Sequence, residues 1–369
     1  MARPVPAERS PVLRRLPAFR CSVCGNQHAP ESMTEGRLTD APAVVRRCML
    51  PFVRVVLTGG GTGGHLTPLL AVAASLRREA RTGTLPHEDG EPALELFYVG
   101  VVTDLDRRAL DAASIPYRHV PSGKIRRYLS GAHWTVLDLL VRLPWGILRA
   151  LKELFVLMPD VVFSKGGYGS VPTVLAAWLY RIPVLLHESD LAPGLANLRL
   201  ARFAASIAVG FRAAERLFPQ RKVFVSGIPL REAFRRLPDP AEARTRLGLH
   251  DRLPVLFVTG GSQGAQRLNT ALLAILPRLV ARAQIVHQVG DNNFPAIEEF
   301  ITKDLRHLPG VEGYRAVGTL AEEDMAAAFA AADLVVSRAG GTVLAEIAAA
   351  GKPSILVPLH EAAQQHQWE

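Results

Sequence analysis

The chain has 369 residues, a formal net charge of +9 from 43 Lys and Arg against 34 Asp and Glu, and about half of its residues are apolar. That length accommodates two domains of ordinary size, and the positive balance points to anionic partners such as phosphates or an anionic membrane surface. It excludes several classes: aromatic residues are sparse and not interleaved with basic ones, so nucleic acid is not expected, and neither a transmembrane run of about 18 apolar residues nor the apolar core of a secretory signal is present.

Residues 1–48 are rich in Pro, Arg and Ser without periodicity and read as a disordered extension. Met49 looks like a natural start, so the preceding segment reads as an upstream extension of the gene. Cys21 and Cys24 form half a zinc-type pair, but no second pair follows at a suitable spacing, and with Cys48 they read as incidental. No metal or other cofactor is expected.

From residue 52 the chain alternates short β-branched runs with longer amphipathic ones, the pattern of a doubly wound α/β sheet. "VRVVLT" is a strand, "GGGTGGH" a glycine turn and "LTPLLAVAASLRREA" a helix; "LELFYVG" is the next strand. "TDLD" has the spacing of a metal-binding pair at Asp104 and Asp106 but lacks other ligands, and reads as a solvated helix start. Residues 123–153 combine Arg126, Arg127, Arg142, Arg149 and Lys152 with Trp134, Trp145 and many Leu. A helical hairpin packed on the first lobe and an interfacial patch on anionic lipid both fit this composition. "PDVVFSKGG", "IPVLLHES", "SIAVGF" and "KVFVSG" supply further strands, with the helical "VPTVLAAWLY" between the first two.

The Pro- and charge-rich stretch 236–250 reads as a linker between a first domain, 49–235, and a second, 251–369. The opening theme then returns in "PVLFVTGGSQGAQRLNTALLAIL" and again in "ADLVVSRAGGTVLAEIAAAGKPSILVP". Two lobes that each begin with a strand and a glycine turn imply two Rossmann-like domains facing a cleft. Ligands of such sheets bind beyond the carboxyl ends of the strands.

Glycine turns before helices let backbone N–H groups approach phosphate at a helix N-terminus. "GGGTGGH" is neither a dinucleotide fingerprint nor a P-loop. His65 follows it at a helix start, where a general base is useful, although capping or packing histidines are common at such positions. Ser262 and Gln263 stand within the second-lobe turn, and "SRAGGTVLAE" combines Arg338, another turn and Glu346, a carboxylate able to accept both hydroxyls of a ribose. Tyr168, His187, Glu188 and Asp190 lie at strand ends of the first lobe.

In their order and intervals, "GGTGGH", "GGY", "HES", "GIP-x-R", "GGSQGA", "SRAGG…E" and "GKPSILVP…HQ" closely resemble the MurG family of peptidoglycan glycosyltransferases, over about residues 53–369. The resemblance implies the GT-B fold. It implies inverting transfer of N-acetylglucosamine (GlcNAc) from UDP-GlcNAc to the C4 hydroxyl of N-acetylmuramic acid in undecaprenyl-pyrophosphoryl-MurNAc-pentapeptide, lipid I, at the cytoplasmic face of the plasma membrane. It places the donor on Thr62, Gly63, Gly64, Asp190, Arg231, Ser262, Gln263, Gly264, Arg338, Gly340, Gly341, Thr342, Val343, Leu344, Glu346, His366 and Gln367, with uracil read near Ala321 and Glu322. The acceptor falls to Gly61, Tyr168 and His187. His65 is the implied general base or acceptor-orienting group, with Glu188 as the other candidate. The resemblance also turns residues 123–153 towards peripheral membrane contact, through Arg126, Arg127, Trp134 and Trp145. This chain has Asp190 where some members have Asn, and it stops at "QQHQWE" where members continue, which reads as a truncated gene. Another GT-B enzyme, a UDP-GlcNAc 2-epimerase or a non-catalytic nucleotide-sugar binder are the alternatives.

Overall fold

The computed structural model describes residues 53–60, 66–82, 87–88, 91–92, 94–123, 138–250, 253–261 and 264–358. The N-terminal extension, the turn 61–65 and the C-terminal residues 359–369 lie outside them, as do the expectations that fell there.

The first lobe is built on a parallel sheet. In chain order its elements are β1 (Val53–Thr58), α1 (Leu66–Arg81), a two-strand pair β2 (His87–Glu88) and β3 (Glu91–Pro92), β4 (Leu94–Gly100), α2 (Asp104–Ala112), β5 (Tyr117–His119), α3 (Leu143–Leu157), β6 (Val161–Ser164), α4 (Val171–Leu179), β7 (Val184–Glu188), α5 (Leu195–Leu200), β8 (Ser206–Val209), α6 (Arg212–Glu215) and β9 (Val223–Val225). The strand order is β5-β4-β1-β6-β7-β8-β9, with β2 and β3 pairing separately. The central strands are apolar because helices cover both faces of a parallel sheet: Val56, Leu57, Tyr98, Val162 and Leu186 are fully buried.

Chain direction along the sheet reverses beside β1, which pairs with β4 on one side and β6 on the other. This is the switch point at which open α/β sheets leave a crevice for ligands. The second lobe repeats the arrangement with β10 (Val255–Thr259), α8 (Gln266–Leu279), β11 (Gln284–Gln288), α9 (Phe294–Phe300), β12 (Tyr314–Val317), α10 (Glu322–Ala331), β13 (Leu334–Ser337), α11 (Gly341–Ala350) and β14 (Ser354–Leu356). Its order, β12-β11-β10-β13-β14, puts the switch point between β10 and β13.

Two local expectations change. The stretch 236–250 contains a helix, α7 (Pro240–Arg246), started by Asp239, whose side chain accepts from the Ala241 N–H at 2.8 Å, and by Pro at the first helical position. Ala243 and Leu247 join the second-lobe core. Phe234, just before it, packs edge-on against Phe329 at 5.2 Å, and Phe329 meets Phe257 at 5.2 Å. The supposed linker therefore belongs to the second lobe from about Phe234 onward, because apolar residues among its charges have a core to enter.

The other change is at "TDLD". Asp104 is solvated, but Asp106 is buried and closes a capping box with Thr103: each side chain bonds the other's backbone N–H. Within 123–153, residues from 138 are described. A π-type turn, Asp138–Arg142, leads into α3, whose buried face carries Gly146, Ala150, Leu154 and Leu157.

Candidate active site

The first-lobe site forms where β1, β6 and β7 end. Gly59 and Gly60 begin the glycine turn, and the fully buried Tyr98 hydroxyl donates to the Gly59 carbonyl oxygen at 2.9 Å, fixing the turn from below. Burial drives the Tyr98 phenol well above its ordinary range, so it stays a neutral donor. Tyr168 lies on the short 3₁₀ turn after β6, where its carbonyl oxygen accepts from the Ser122 hydroxyl at 2.6 Å.

His187 and Glu188 end β7 and both are buried. His187 Nε2 is 3.1 Å from the Gly227 carbonyl oxygen, so this nitrogen carries the proton and donates. Burial, helped by Lys165, pulls the His187 pKa down to about 4, and the ring is neutral at physiological pH. The Glu188 carboxylate is occupied: Oε1 accepts from the Asp190 N–H at 2.9 Å, and Oε2 from the Gly194 N–H at 3.1 Å and Asn197 Nδ2 at 2.8 Å. A carboxylate holding three N–H donors at 2 % exposure organises a loop.

The second-lobe site lies beyond β10 and β13. Gly264 sits over the Val289 carbonyl, where a Cβ would overlap it. Arg338 follows β13 directly, and its guanidinium is acidified by burial and by repulsion from Arg267 on the first turn of α8. Gly340 is the N-cap of α11, so the unpaired N–H groups of its first turn open at the same place.

Glu346, inside α11, is buried, and its Oε1 accepts from Arg231 Nε at 2.8 Å. Burial pushes the Glu346 carboxyl up, and Arg231 opposes that shift. Arg231 immediately precedes a 3₁₀ turn, Glu232–Arg235, that is tied to both lobes. Glu232 pairs with Arg78 of α1 at 2.5 Å, and the Ala233 N–H donates to Glu322 of α10 at 3.0 Å. The lobes also touch at Gly341, where an added Cβ would stand 2.5 Å from the Ser189 carbonyl oxygen and 3.3 Å from Asp190 Oδ1.

The lobes approach one another where Gly341 faces Ser189 and Asp190. Of the other expected residues, Tyr168, His187 and Glu188 follow or end first-lobe strands. Gly264, Arg338, Gly340, Thr342, Leu344 and Glu346 belong to the second-lobe turns and α11, with Arg231 bonded to Glu346. Val343 differs, because it packs against the second-lobe core. Gly61, Thr62, Gly63, Gly64, His65, Ser262, Gln263, His366 and Gln367 lie outside the described residues, as do Arg126, Arg127 and Trp134 of the basic-apolar segment. Among the described residues no group of His, Cys, Asp or Glu could hold a metal ion.

Residues 55–209 match the glycosyltransferase family 28 N-terminal domain and residues 255–369 the family 28 C-terminal domain. Over 316 residues the chain is 36% identical to a UDP-N-acetylglucosamine–N-acetylmuramyl-(pentapeptide) pyrophosphoryl-undecaprenol N-acetylglucosamine transferase 2 of Bacillus anthracis, spanning 85% of this chain and 81% of that relative. The chain belongs to the MurG family within glycosyltransferase family 28. The crystal structure of Acinetobacter baumannii MurG superposes with a TM-score of 0.56 at 28% identity, covering 86% of this chain and 80% of that one. A UDP-GlcNAc 2-epimerase from Methanocaldococcus jannaschii reaches 0.55 over 83% of each chain, but at 13% identity that likeness is one of fold alone. The architecture is therefore the GT-B type expected for the MurG family: two parallel-sheet lobes with a cleft between their switch points.

Two charged residues escaped the sequence reading. Lys165 lies within "PDVVFSKGG", but nothing in the sequence says that its side chain is buried. Arg267 follows "GGSQGAQ" by one residue, and its pairing with Arg338 needs the fold to bring β13 beside β10.

Proposed function

We propose that this protein transfers GlcNAc from UDP-GlcNAc to the C4 hydroxyl of the muramyl sugar of a polyprenyl-pyrophosphoryl-MurNAc-pentapeptide, with inversion at the anomeric carbon. Identity at 36% to a transferase of that name over 85% of the chain carries the reading, and the cleft geometry agrees with it. On the second lobe, the N–H groups opening α11, with Arg338 and Arg231, suit the diphosphate, and Glu346 suits the ribose. The acceptor hydroxyl forms a bond to C1 as the bond from C1 to the UDP oxygen breaks. The hydroxyl proton passes to a base, for which His65 is the candidate, because Glu188 is committed to its three N–H donors. Charge developing on the leaving diphosphate is met by fixed N–H dipoles and guanidinium groups.

The acceptor is a membrane lipid, and the described part of the basic-apolar segment fits a peripheral approach. Leu140, Val141, Trp145, Leu148, Phe155 and Val156 are exposed apolar side chains on or just before α3, interspersed with Arg149 and Lys152. No helix among the described residues is long and apolar enough to cross a membrane. We place the protein on the cytoplasmic face of the plasma membrane, with α3 in the headgroup region.

The test is incubation with radiolabelled UDP-GlcNAc and a lipid I analogue. A disaccharide-lipid product with stoichiometric UDP is expected. Epimerised UDP-sugar without lipid product, or donor binding without turnover, overturns the reading.

A further inference from the structure

The 3₁₀ turn Glu232–Arg235, with Arg231 before it, is anchored in the second lobe. Arg231 Nε donates to Glu346 Oε1 of α11 at 2.8 Å, and the Ala233 N–H donates to Glu322 Oε1 of α10 at 3.0 Å. Phe234 is buried against Phe329 of α10. A short turn held by two helices and a buried ring has little freedom of its own and moves with that lobe.

Glu232 reaches the other way. Its Oε1 and Oε2 accept from Arg78 Nη1 at 2.7 and 2.5 Å, and Arg78 stands in the last turn of α1, in the first lobe. The pair is extended on both sides, by Glu79 at 3.7 Å from Arg78 and by Arg235 at 3.6 Å from Glu232. Glu79, Arg78, Glu232 and Arg235 thus form a run of alternating charge that crosses from one lobe to the other. Their side chains are between 30 % and 56 % exposed, so the bonds are screened and individually weak. Such bonds add little to folding stability, yet they can decide between lobe spacings that differ little in free energy. The approach of Gly341 to the Ser189 carbonyl oxygen is steric and limits how near the lobes come. The Glu232–Arg78 bond is attractive and limits how far they part.

We propose that Glu232 is a positioning residue for the transfer reaction: with Arg78 it latches the lobes together, so that α1 keeps a fixed distance from the donor held by the neighbouring Arg231. The effect on turnover rests on the function proposed above; the latch between the lobes does not. What the latch positions follows from connectivity. α1 begins at Leu66, directly after the candidate base His65 in the chain, and a helix restrained near its last turn is restrained at its first. Arg231 is adjacent to Glu232 and bonded to Glu346, the residue suited to the ribose. A single ion pair therefore ties the donor side of the reaction to the helix that follows the acceptor-side turn. Displacing reacting groups by about 1 Å is enough to slow a transfer step.

The experiment measures the distance between the lobes by electron-spin resonance, with labels on Arg108→Cys and Glu312→Cys. These are exposed positions on the first and second lobes, and Cys21, Cys24 and Cys48 are changed to Ser. The labelled wild type is compared with Arg78→Gln, Glu232→Gln, the double variant and Arg78→Lys, which keeps a cation. A narrow distance distribution is expected for the wild type and Arg78→Lys, and a broader one reaching longer distances for the Gln variants. In turnover with UDP-GlcNAc and a lipid I analogue, each Gln variant is expected to lose about threefold in kcat, the ordinary worth of an exposed pair. Arg78→Lys should stay near the wild type. The double variant should lose no more than either single one, because the same bond is removed. UDP affinity should be unchanged, and the difference between wild type and variants should shrink as salt rises from about 0.05 M to about 0.5 M. Unchanged distance distributions overturn the proposal whatever the activity. Losses that multiply in the double variant overturn it too, since the two residues then act separately. So does a fall in UDP affinity equal to the fall in turnover, because the substitution then acts on the donor site itself. Broadened distributions in a protein that makes no disaccharide lipid leave the latch standing and remove the functional reading.

Discussion

Arg231 Nε donates to Glu346 Oε1 at 2.8 Å, joining the segment between the lobes to the helix that opens the second-lobe anion site. One guanidinium nitrogen is thereby used on a buried carboxylate. The Nη groups of a planar fork remain able to meet a diphosphate from the same position. The pair therefore links two proposed ligand contacts, ribose and phosphate, in one charged unit.

Removing Arg231 should expose the cost of that buried carboxylate. Breaking a buried pair by deleting one partner costs about 3–5 kcal/mol, so Arg231→Met should lower unfolding stability by that order, and Glu346→Gln by less. The sign with pH follows from Glu346, whose folded pKa is raised by burial above its unfolded value. Its contribution to stability is complete below the unfolded pKa and is lost as pH rises through the folded one. Arg231→Met raises the folded pKa further, so the deficit against wild type should be small in mild acid and grow towards pH 8. Urea titrations at the two pH values measure it; a deficit independent of pH refutes the assignment of the cost to this carboxylate.

Gly340 and Gly341 are adjacent but should respond differently to substitution. A Cβ on Gly340 meets nothing within 4 Å, whereas one on Gly341 would stand 2.5 Å from the Ser189 carbonyl oxygen of the facing lobe. Gly340→Ala should leave the melting temperature nearly unchanged. Gly341→Ala must displace backbone and should cost about 1–3 kcal/mol, with a reduced kcat because the lobes no longer close to the same spacing. Equal effects in calorimetry and turnover would count against the contact.

Much of this architecture was legible because the strands announce themselves. "VRVVLT" and "LELFYVG" coincide with β1 and β4, since buried parallel strands are β-branched runs bounded by glycine turns. The strand "QIVHQ" was missed: polar Gln284, His287 and Gln288 hide it, and their burial is tolerated because each finds a partner, Gln284 on the backbone of His250 before β10, His287 and Gln288 on Tyr314 and Thr259 of the neighbouring strands. The same blindness applied to the site. Glu188 and Glu346 stood out as carboxylates near glycine turns, but sequence could not say that three N–H donors occupy the first and Arg231 the second. Residues 236–250 looked like a linker because charge dominates them, while Ala243 and Leu247 carry the information that they pack.

The surface of α3 yields a prediction for membrane contact. Trp145 is 60 % exposed and Leu148 61 % exposed, areas that a soluble helix has no reason to leave bare. If they enter the headgroup region, Trp145→Ser/Leu148→Ser should weaken binding to anionic vesicles by about tenfold or more at 25 cal/mol per Å². Arg149→Glu/Lys152→Glu should weaken it too, mainly at low salt, where surface charge is least screened. UDP affinity should be unaffected in both. Vesicle co-sedimentation that is unchanged in the apolar variant removes α3 from the interface.

His287 offers a test of the second-lobe core that is independent of any ligand. The ring is fully buried; its Nε2 donates to Asn269 Oδ1 at 3.1 Å, and its Nδ1 accepts from the Tyr314 hydroxyl at 2.9 Å. Asn269 in turn donates to the Val289 carbonyl oxygen at 3.0 Å, the same carbonyl that lies under Gly264 of the glycine turn. Burial pulls the His287 pKa from 6.5 down to about 4. For a group whose folded pKa is lowered, the folded state binds fewer protons, so its stability is full above the unfolded pKa and falls with pH from there to the folded one. Integrated to pH 5, that is about 2 kcal/mol for one histidine. His187 shifts the same way and adds its own share. His287→Gln should be less stable than wild type at pH 7, through the lost ring contacts, and should lose about 2 kcal/mol less on going to pH 5. Chemical denaturation at both pH values gives the difference directly, with contributions from all other groups cancelling between the two proteins. Parallel acid losses in the variant and the wild type would mean that the His287 ring is not held neutral by the core.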